Sequence, residues 1–344
     1  MKTKGNKILI SSLIAISAII CITAVLCYYF LFSHSFKLSE NAYVYIDQND
    51  NLDSVYNKVE KAVEPFSICG FKSLVRFSDY DKNIHTGRYA IRPNDDMYHV
   101  FHRISLGRQE PVNLSFNNVR TRGKLANIIG KQLMADSAEI ANKLFDSVFC
   151  AGMGYSEETI VCLFIPNTYE VYWDVSVDDF FKRMQKEQKA FWTTERLNKA
   201  KEIGLTPDQV ITMASIVEEE TNNNTEKPMV AGLYMNRYNK RMLLQADPTV
   251  KFGLQEFGLK RILKNHLTVD SPYNTYKHIG LPPGPIRIPS IKGIESVLNY
   301  TKHNYIYMCA KEDFSGTHNF AASYPEHQAN ARKYWIELNK RNIK

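Results

Sequence analysis

Three consecutive glutamates, Glu218, Glu219 and Glu220, end the apolar stretch ITMASIVEEET at residues 211–221. A carboxyl group at the border of a buried surface loses part of its solvation, and this loss raises its pKa. A carboxyl with a raised pKa can act as a general acid near neutral pH. The stretch is therefore either a solvated acidic helix end or the carrier of one catalytic carboxyl group.

The residues before the glutamates predict the helix that must position them. Thr206 is a good N-cap, Pro207 suits the first helical position, and Gln209 completes a T-x-x-Q capping box. The asparagines at 222–224 are expected to end this helix, and a second helix is predicted over 226–240.

On a helical wheel of about 100° per residue, the three glutamates point in different directions. Glu219 points away from the apolar face, so we expect it to be solvated. Glu218 and Glu220 lie at opposite edges of that face, where general acids and ordinary boundary residues both occur. The wheel does not choose between these two. The apolar face itself consists of Val210, Met213, Ala214 and Val217.

Motifs of several other enzyme classes are absent from the sequence. It contains no G-x-S-x-G, P-loop, H-E-x-x-H or G-x-G-x-x-G pattern, and its 9 histidines are scattered. The cysteines outside the apolar N-terminal segment form no C-x-x-C pair. We therefore expect no metal and no cofactor, and a pyridoxal-phosphate lyase is disfavoured because no Schiff-base lysine motif is present. A net charge of +7 without a basic, aromatic-rich run also argues against nucleic-acid binding.

The N-terminal segment predicts a membrane anchor. Residues 8–32 carry no charge and are long enough to cross a hydrocarbon layer of about 30 Å as one helix. The run ends in CYYFLF, which suits an interfacial aromatic belt better than a signal-peptide cleavage site. Lys2, Lys4 and Lys7 precede it and predict a cytoplasmic tail at 1–7, with the rest of the chain across the membrane.

The rest of the chain reads as an α+β protein. Residues 33–40 resemble a linker, and residues 33–160 form a membrane-proximal region with strand-like runs such as AYVYI and helix-like runs such as LDSVYNKVEKAV. CLFIPNTYEVYW at 162–173 reads as a strand and turn, and a final charged helix is predicted from 328. A larger α+β domain is expected over 161–344.

Polar and aromatic residues are dense in predicted loops after the helix, from Asn236 and Arg237 to Tyr276. Amides, hydroxyls and tyrosine faces around a carboxyl group are what a carbohydrate cleft needs. Each motif also has a plain structural reading: Asp247-Pro248-Thr249 as a turn or helix cap, Asn274-Thr275 as a turn, and Pro-Pro-Gly as a rigid connection.

Taken together, these segments resemble the YceG-like family of endolytic murein transglycosylases. The resemblance is carried in order by SIVEEET, AGLYMNRY, MLLQADPTVKFGL, SPYNTYKHIGLPPGPIRIPS, THNF and a final EH. It runs from about residue 87 to the C-terminus and is most specific over 211–327. GRYAIRPNDDMYHVFHRISLG additionally resembles a LysM-like subdomain, at about 85–110.

The resemblance implies cleavage of the β-1,4 bond between N-acetylmuramic acid and N-acetylglucosamine within glycan strands, leaving a 1,6-anhydro end. It implies Glu218 as the catalytic residue, acting first as acid and then as base. The topology predicted from the N-terminal segment gives a single-pass protein of the inner membrane with an extracytoplasmic catalytic domain. Such a location makes peptidoglycan synthases candidate partners. Candidate substrate-binding residues are Asn236, Arg237, Gln245, Asp247, Thr249, Tyr273, Asn274, Tyr276, His318 and Glu326. The alternative is a non-catalytic, peptidoglycan-binding scaffold that regulates wall synthesis.

Overall fold

The computed structural model of the chain describes residues 2–32, 36, 38–64, 67–259 and 261–341. Residues 33–35 and 37 of the predicted linker, and Met1 of the predicted cytoplasmic tail, lie outside the described residues. The predicted mixture of helices and short strands is confirmed. The chain forms two compact units. The boundary predicted at residue 160, between a membrane-proximal region and a catalytic domain, stays a prediction.

The N-terminal helix α1 (Lys2–Phe32) contains an apolar segment, Ile10–Tyr29, of 20 residues. This segment is long and apolar enough to cross a membrane, and its side chains are exposed throughout. Exposed isoleucines and leucines on all sides of a helix suit a lipid environment rather than a protein core. The finding is compatible with a single-pass anchor.

The first unit comprises Met1–Leu114, Gln132–Met134 and Tyr169–Val175. Beyond α1, its sheet pairs two antiparallel strands, with Ala42 opposite Ile91 and Ile46 opposite Gly87. Helices with apolar faces cover this pair, and Val55, Val59 and Val63 recur at helical spacing because they face its core. The elements are β1 (Ala42–Ile46), α2 (Leu52–Val63), α3 (Cys69–Arg76), β2 (Gly87–Ile91) and α4 (Met97–Ser105), followed by β3 (Val112–Ser115), which pairs with β4 (Thr168–Val171).

The second unit comprises Ser115–Lys131, Ala135–Thr168 and Ser176–Lys344. It is mainly helical and includes an antiparallel strand pair in which Tyr307 lies opposite Ala321 and Ala310 opposite His318. Its elements are α5 (Arg122–Gly130), α6 (Ser137–Phe145), α7 (Ser147–Met153), α8 (Val177–Phe191), α9 (Thr194–Glu202), α10 (Pro207–Glu220), α11 (Lys227–Asn239), α12 (Asp247–Leu254), α13 (Ile291–Leu298), β5 (Tyr307–Ala310), β6 (His318–Ala321) and α14 (Tyr324–Lys340).

Helix α10 lies at the centre of this unit. Every residue from Val210 to Val217 is buried, including the face that the wheel assigned to solvent. The chain around Ile286 covers that face, and its backbone N–H donates a 3.0 Å hydrogen bond to Oγ of the fully buried Ser215. The Ser215 hydroxyl thus satisfies the backbone N–H of a segment that crosses α10 within an apolar core.

Several predicted boundaries need correction. Helix α11 confirms the helix predicted over 226–240, so Asn236 and Arg237 lie on it rather than in the predicted loops. Asp247 and Thr249 lie in the first turn of α12. The segment predicted as a strand at 162–173 begins with a 3-10 helix (Ile160–Leu163), and only Thr168–Val171 is a strand. The last helix begins at Tyr324 rather than at 328, because Ser323 caps it and Pro325 suits its first turn.

Candidate active site

Helix α10 presents the three glutamates in its last turn. The predicted capping box is present: Thr206 Oγ1 accepts from the Gln209 backbone, and the Gln209 side chain accepts from the Thr206 backbone. The helix ends after Glu220, where Thr221 turns to extended backbone. A helix fixed at both ends holds successive side chains about 100° apart, so neighbouring glutamates meet different surroundings.

Glu218 belongs to a buried ion pair. Its Oε2 accepts a 2.9 Å hydrogen bond from Lys227 Nζ and a 2.8 Å hydrogen bond from Ser290 Oγ. The side chain of Lys227 is only 3% exposed, so the ammonium depends on this carboxylate for its charge partner. Glu218 also borders a cavity of about 530 Å³ together with Asn222 and Arg287.

Glu219 is not solvated, and the sequence-based expectation for it is wrong. Arg120 donates to both of its carboxylate oxygens at 2.7 and 2.9 Å, and Arg287 Nη1 donates to Oε1 at 3.0 Å. The helical wheel assigned the side opposite the apolar face to solvent, whereas two arginines from distant parts of the chain cover it. Glu219 therefore neutralises Arg287, whose side chain is 8% exposed.

Glu220 lies in surroundings that favour the protonated form of its carboxyl group. Tyr234 on α11 donates a 2.6 Å hydrogen bond to its Oε1. Burial raises the pKa of Glu220 from 4.5 to about 7, the Tyr234 hydrogen bond lowers the pKa, and the charge of Asp247 raises it. Among the residues that the structure describes, Oε2 of Glu220 has no hydrogen-bonding partner. Glu220 borders a second cavity, of about 380 Å³.

The cavity beside Glu220 is lined by residues from α11, α12, the strand pair and α14. Five of the candidate substrate-binding residues meet there: Arg237, Gln245, Asp247, Tyr276 and His318. The Tyr276 hydroxyl donates a 2.6 Å hydrogen bond to Asp247 Oδ1, and burial raises the pKa of Tyr276. The cavity therefore presents two carboxyl groups, phenols, an amide, a guanidinium and two imidazoles to a common space.

A buried carboxylate orients the His318 imidazole of this cavity. Glu226 Oε1 accepts from the His318 backbone at 2.6 Å, and its Oε2 lies 3.0 Å from His318 Nδ1. The same Oε2 accepts from Thr221 Oγ1 at 2.8 Å. Because Glu226 binds both the backbone and the ring of His318, it fixes that ring at the cavity wall.

A family model described as the YceG-like family matches residues 44–333. The chain belongs to the YceG-like family. A crystal structure of a yceG-like protein from Listeria monocytogenes covers 84% of this chain and 99% of its own, at 26% identity and a TM-score of 0.55.

Two curated relatives of this YceG-like chain are named endolytic murein transglycosylase. The one from Bacillus subtilis is 34% identical over 168 residues, which are 49% of this chain and 46% of that protein. The one from Streptococcus pneumoniae is 29% identical over 177 residues, which are 49% of this chain and 31% of that protein. The matched part is thus less than half the length of each relative.

Five other candidate residues of this YceG-like chain do not line the cavity beside Glu220. The Asn236 amide donates to the carbonyls of residues 303 and 305, and the buried Asn274 amide donates to the carbonyls of 267 and 269. Thr249 Oγ1 donates to the carbonyl of residue 246, Tyr273 packs on the Phe252 ring, and Glu326 accepts from the backbone that caps α14. These contacts support structural roles, and substrate contact by these five stays a prediction.

Sequence reasoning missed Tyr234, Glu226 and Lys227, the partners of the functional groups. Tyr234 lies within the apolar-rich part of α11, so its type and position read as core. Glu226 and Lys227 adjoin the start of a helix, where charged residues are usually solvated. A search for buried charges needs the tertiary neighbours, which a single sequence does not supply.

Proposed function

We propose that the chain is a peptidoglycan transglycosylase and that Glu220 is its general acid and base. The observation that carries the proposal is the carboxyl of Glu220, which has a pKa raised to about 7 and faces a polar cavity. The names of the curated relatives supply the substrate class. The Asp247, Tyr276 and His318 side chains around it offer hydrogen bonds to sugar hydroxyl and N-acetyl groups.

The chemistry needs only one enzyme carboxyl group. Most glycosidases use two, because water must be activated or a covalent intermediate formed. Here the protonated Glu220 gives its proton to the glycosidic oxygen as the bond to C1 of the muramyl sugar breaks. The resulting carboxylate takes the proton of the C6 hydroxyl as O6 bonds to C1. The product carries a 1,6-anhydro end, no water is consumed, and Glu220 returns to its protonated form.

Glu218 stays the residue that the family resemblance implies, but its geometry supports this role less well. The Glu218 carboxylate forms an ion pair with the buried Lys227 ammonium. Its Oε2 already accepts two hydrogen bonds. Glu220 has one hydrogen bond from a neutral phenol, so its proton can leave and return without breaking a buried ion pair.

The N-terminal apolar helix predicts where in the cell this activity takes place. A single-pass anchor at Ile10–Tyr29, with a cytoplasmic N-terminus, would hold the enzyme on the outer side of the membrane. Tethering raises the local concentration of the enzyme at strands made there. We extend the proposal to a LysM-like subdomain at about 85–110, supported by strand β2 followed by helix α4, and to glycan synthases as partners.

The test is a matched set of carboxyl-to-amide variants of the full chain. Glu220→Gln should release no anhydro-muropeptides from purified peptidoglycan, as read by mass spectrometry. Glu218→Gln should retain kcat within about tenfold, after correction for the folded fraction. Glu202→Gln, at an exposed position on α9, is the control and should match the wild type.

The outcomes separate three assignments. Loss of product in Glu218→Gln with activity in Glu220→Gln would return the chemistry to Glu218. No anhydro product from the wild type under any condition would favour the scaffold alternative. Far-ultraviolet circular dichroism and thermal unfolding of each variant would show whether a loss of product reflects a loss of fold.

A further inference from the structure

The N-terminal apolar helix and the core of the first unit are joined by a short connection. Helix α1 ends at Phe32, and Phe36 is already buried in the apolar core of that unit. Four residues of extended chain span at most about 14 Å. The polar layer on one side of a bilayer is roughly 5–8 Å thick. The helices that cover this core, each about 10 Å in diameter, therefore lie within reach of the lipid headgroups.

Aromatic contacts connect the end of α1 with the helices of the first unit. The Phe32 ring packs on Tyr98 of α4, with ring centroids 5.3 Å apart, and on Tyr28 of its own helix at 6.0 Å. Helix α1 also contacts α3. Tyrosines and tryptophans concentrate at the level of the headgroups in membrane proteins. The predicted aromatic belt at the end of α1 thus continues into the first unit, and α3 lies beside it.

The outer face of α3 combines cations with an exposed aromatic ring. Phe71 and Val75 on the other face are buried in the core, whereas Phe77, the C-cap of the helix, is 92% exposed. A single exposed apolar side chain is ordinary on a protein surface. Here the ring lies beside basic residues on a helix that contacts α1, and this combination is typical of helices that lie in the membrane interface. The exposed residues of α3 and its C-cap are Cys69, Lys72, Ser73, Arg76 and Phe77.

The charge of this segment suits an anionic partner. Residues 69–82 contain three cations and two acids. One acid, Asp79, is paired with Lys82 at 2.6 Å, and the other, Asp81, lies in the following 3-10 helix. The charged residues of the outer face itself are therefore both cations, Lys72 and Arg76. Cations close to a membrane surface are attracted by anionic lipids.

We propose that the outer face of α3 docks on anionic phospholipids, with the Phe77 ring among the headgroups and with Lys72 and Arg76 bound to lipid phosphates. The inference rests on the single-pass anchor of the proposed function. Each contact is weak alone, but α1 holds this face at the membrane, so the second attachment forms at a high effective concentration. Docking fixes the orientation of the first unit on the membrane, which a single helix leaves free to rotate.

The test measures whether position 77 enters the bilayer. The full chain with Phe77→Trp is reconstituted into vesicles of phosphatidylcholine and phosphatidylglycerol whose acyl chains are brominated near the headgroup. Bromine quenches tryptophan fluorescence at short range, so the variant should show additional quenching relative to the wild type, whose three tryptophans give the background. Vesicles of phosphatidylcholine alone should give less of this additional quenching.

Tyr45→Trp is the positional control. Val44 and Ile46 face the core, so Tyr45 lies on the outer face of the strand pair, turned away from the helices, and is 40% exposed. We expect no additional quenching from a tryptophan at this position.

Charge reversal tests the two cations. Lys72→Glu together with Arg76→Glu, in the chain with Phe77→Trp, should lower the additional quenching by about half or more, and high salt should do the same. Lys186→Glu together with Lys189→Glu, at exposed positions on α8, is the matched double reversal and should leave the quenching unchanged.

The possible results separate docking from anchoring. Additional quenching no greater at position 77 than at position 45, in vesicles that retain the chain, would overturn docking through α3. Equal quenching in neutral vesicles, or after reversal of both cations, would overturn the binding of anionic headgroups. Extraction of the wild type from the vesicles by alkaline carbonate would instead overturn the anchor on which the inference rests.

Discussion

The phenol of Tyr234 on α11 donates a 2.6 Å hydrogen bond to Oε1 of Glu220 at the end of α10. This contact opposes burial, which is the main reason that the pKa of Glu220 lies at about 7. A hydrogen bond from a phenol favours the carboxylate, whereas desolvation favours the acid. The balance leaves both forms of Glu220 accessible near neutral pH, as a group that gives and then retakes a proton requires.

Removal of the Tyr234 hydroxyl should move the pH dependence of activity upward. In Tyr234→Phe the contact that lowers the pKa of Glu220 is gone, so the pKa should rise by about one unit. The protonated acid then persists to higher pH, and the alkaline limb of kcat/KM should shift by the same amount. A pH–rate profile measures this shift. An alkaline limb that stays in place would contradict the role given to Glu220.

The raised pKa of Glu220 should also be visible in protein stability. The folded protein keeps this proton up to about pH 7, whereas the unfolded chain loses it near 4.5. Between these values the folded state binds more protons, so its stability falls as pH rises, by about 3 kcal/mol for this group. Below 4.5 and above 7 the group adds no further change.

Glu220→Gln should remove that pH-dependent loss. The free energy of unfolding of the variant, minus that of the wild type, should rise by about 3 kcal/mol between pH 4.5 and pH 8. Urea denaturation at a series of pH values gives this difference, and other titrating groups cancel in it. A difference that stays constant across the range would show that the Glu220 carboxyl titrates normally.

Substitution of Gly293 distinguishes the roles of Glu218 and Glu220, because an added Cβ would collide with the Glu218 carboxylate. A Cβ at Gly293 would lie 2.5 Å from Oε2 of Glu218, so Gly293→Ala must displace that carboxylate from Ser290. We expect a loss of stability of about 2 kcal/mol and a kcat within about threefold of the wild type. A collapse of kcat in the folded variant would place the chemistry at Glu218.

The matched control for that variant is Gly123→Ala, in α5. A Cβ there meets no atom within 4 Å, so the exchange only adds helix propensity. It should leave activity unchanged and stabilise the protein by up to about 1 kcal/mol. Thermal unfolding of the two alanine variants then isolates the effect of the contact with Glu218.

Glu219→Gln should destabilise the protein but leave its catalytic activity intact. Glu219 binds Arg120 and Arg287, and its neutralisation leaves the buried Arg287 guanidinium without a counter-charge. We expect a cost of about 2–4 kcal/mol in the free energy of unfolding. Activity per folded molecule should be retained, which denaturation curves and assays on the same sample can establish. A stability equal to the wild type would mean that the ion pairs contribute nothing.

Much of the local structure follows from the sequence alone. The helix at Pro207–Glu220 is predicted by its capping box and apolar spacing, since both depend on residues within one or two turns. The opposite directions of Glu218 and Glu220 also follow from helical geometry, and the order of motifs indicates the YceG-like family.

The surroundings of each glutamate are decided only by the tertiary structure. Arg120 lies 99 residues before Glu219, and Arg287 lies 68 residues after it. Ser290 lies 72 residues after Glu218. A pKa and an ion pair depend on atoms within a few ångströms, and no local pattern specifies which distant residues supply them. The sequence therefore determined where the three carboxyl groups point, and the fold determined which is paired, which is buried and which can carry a proton.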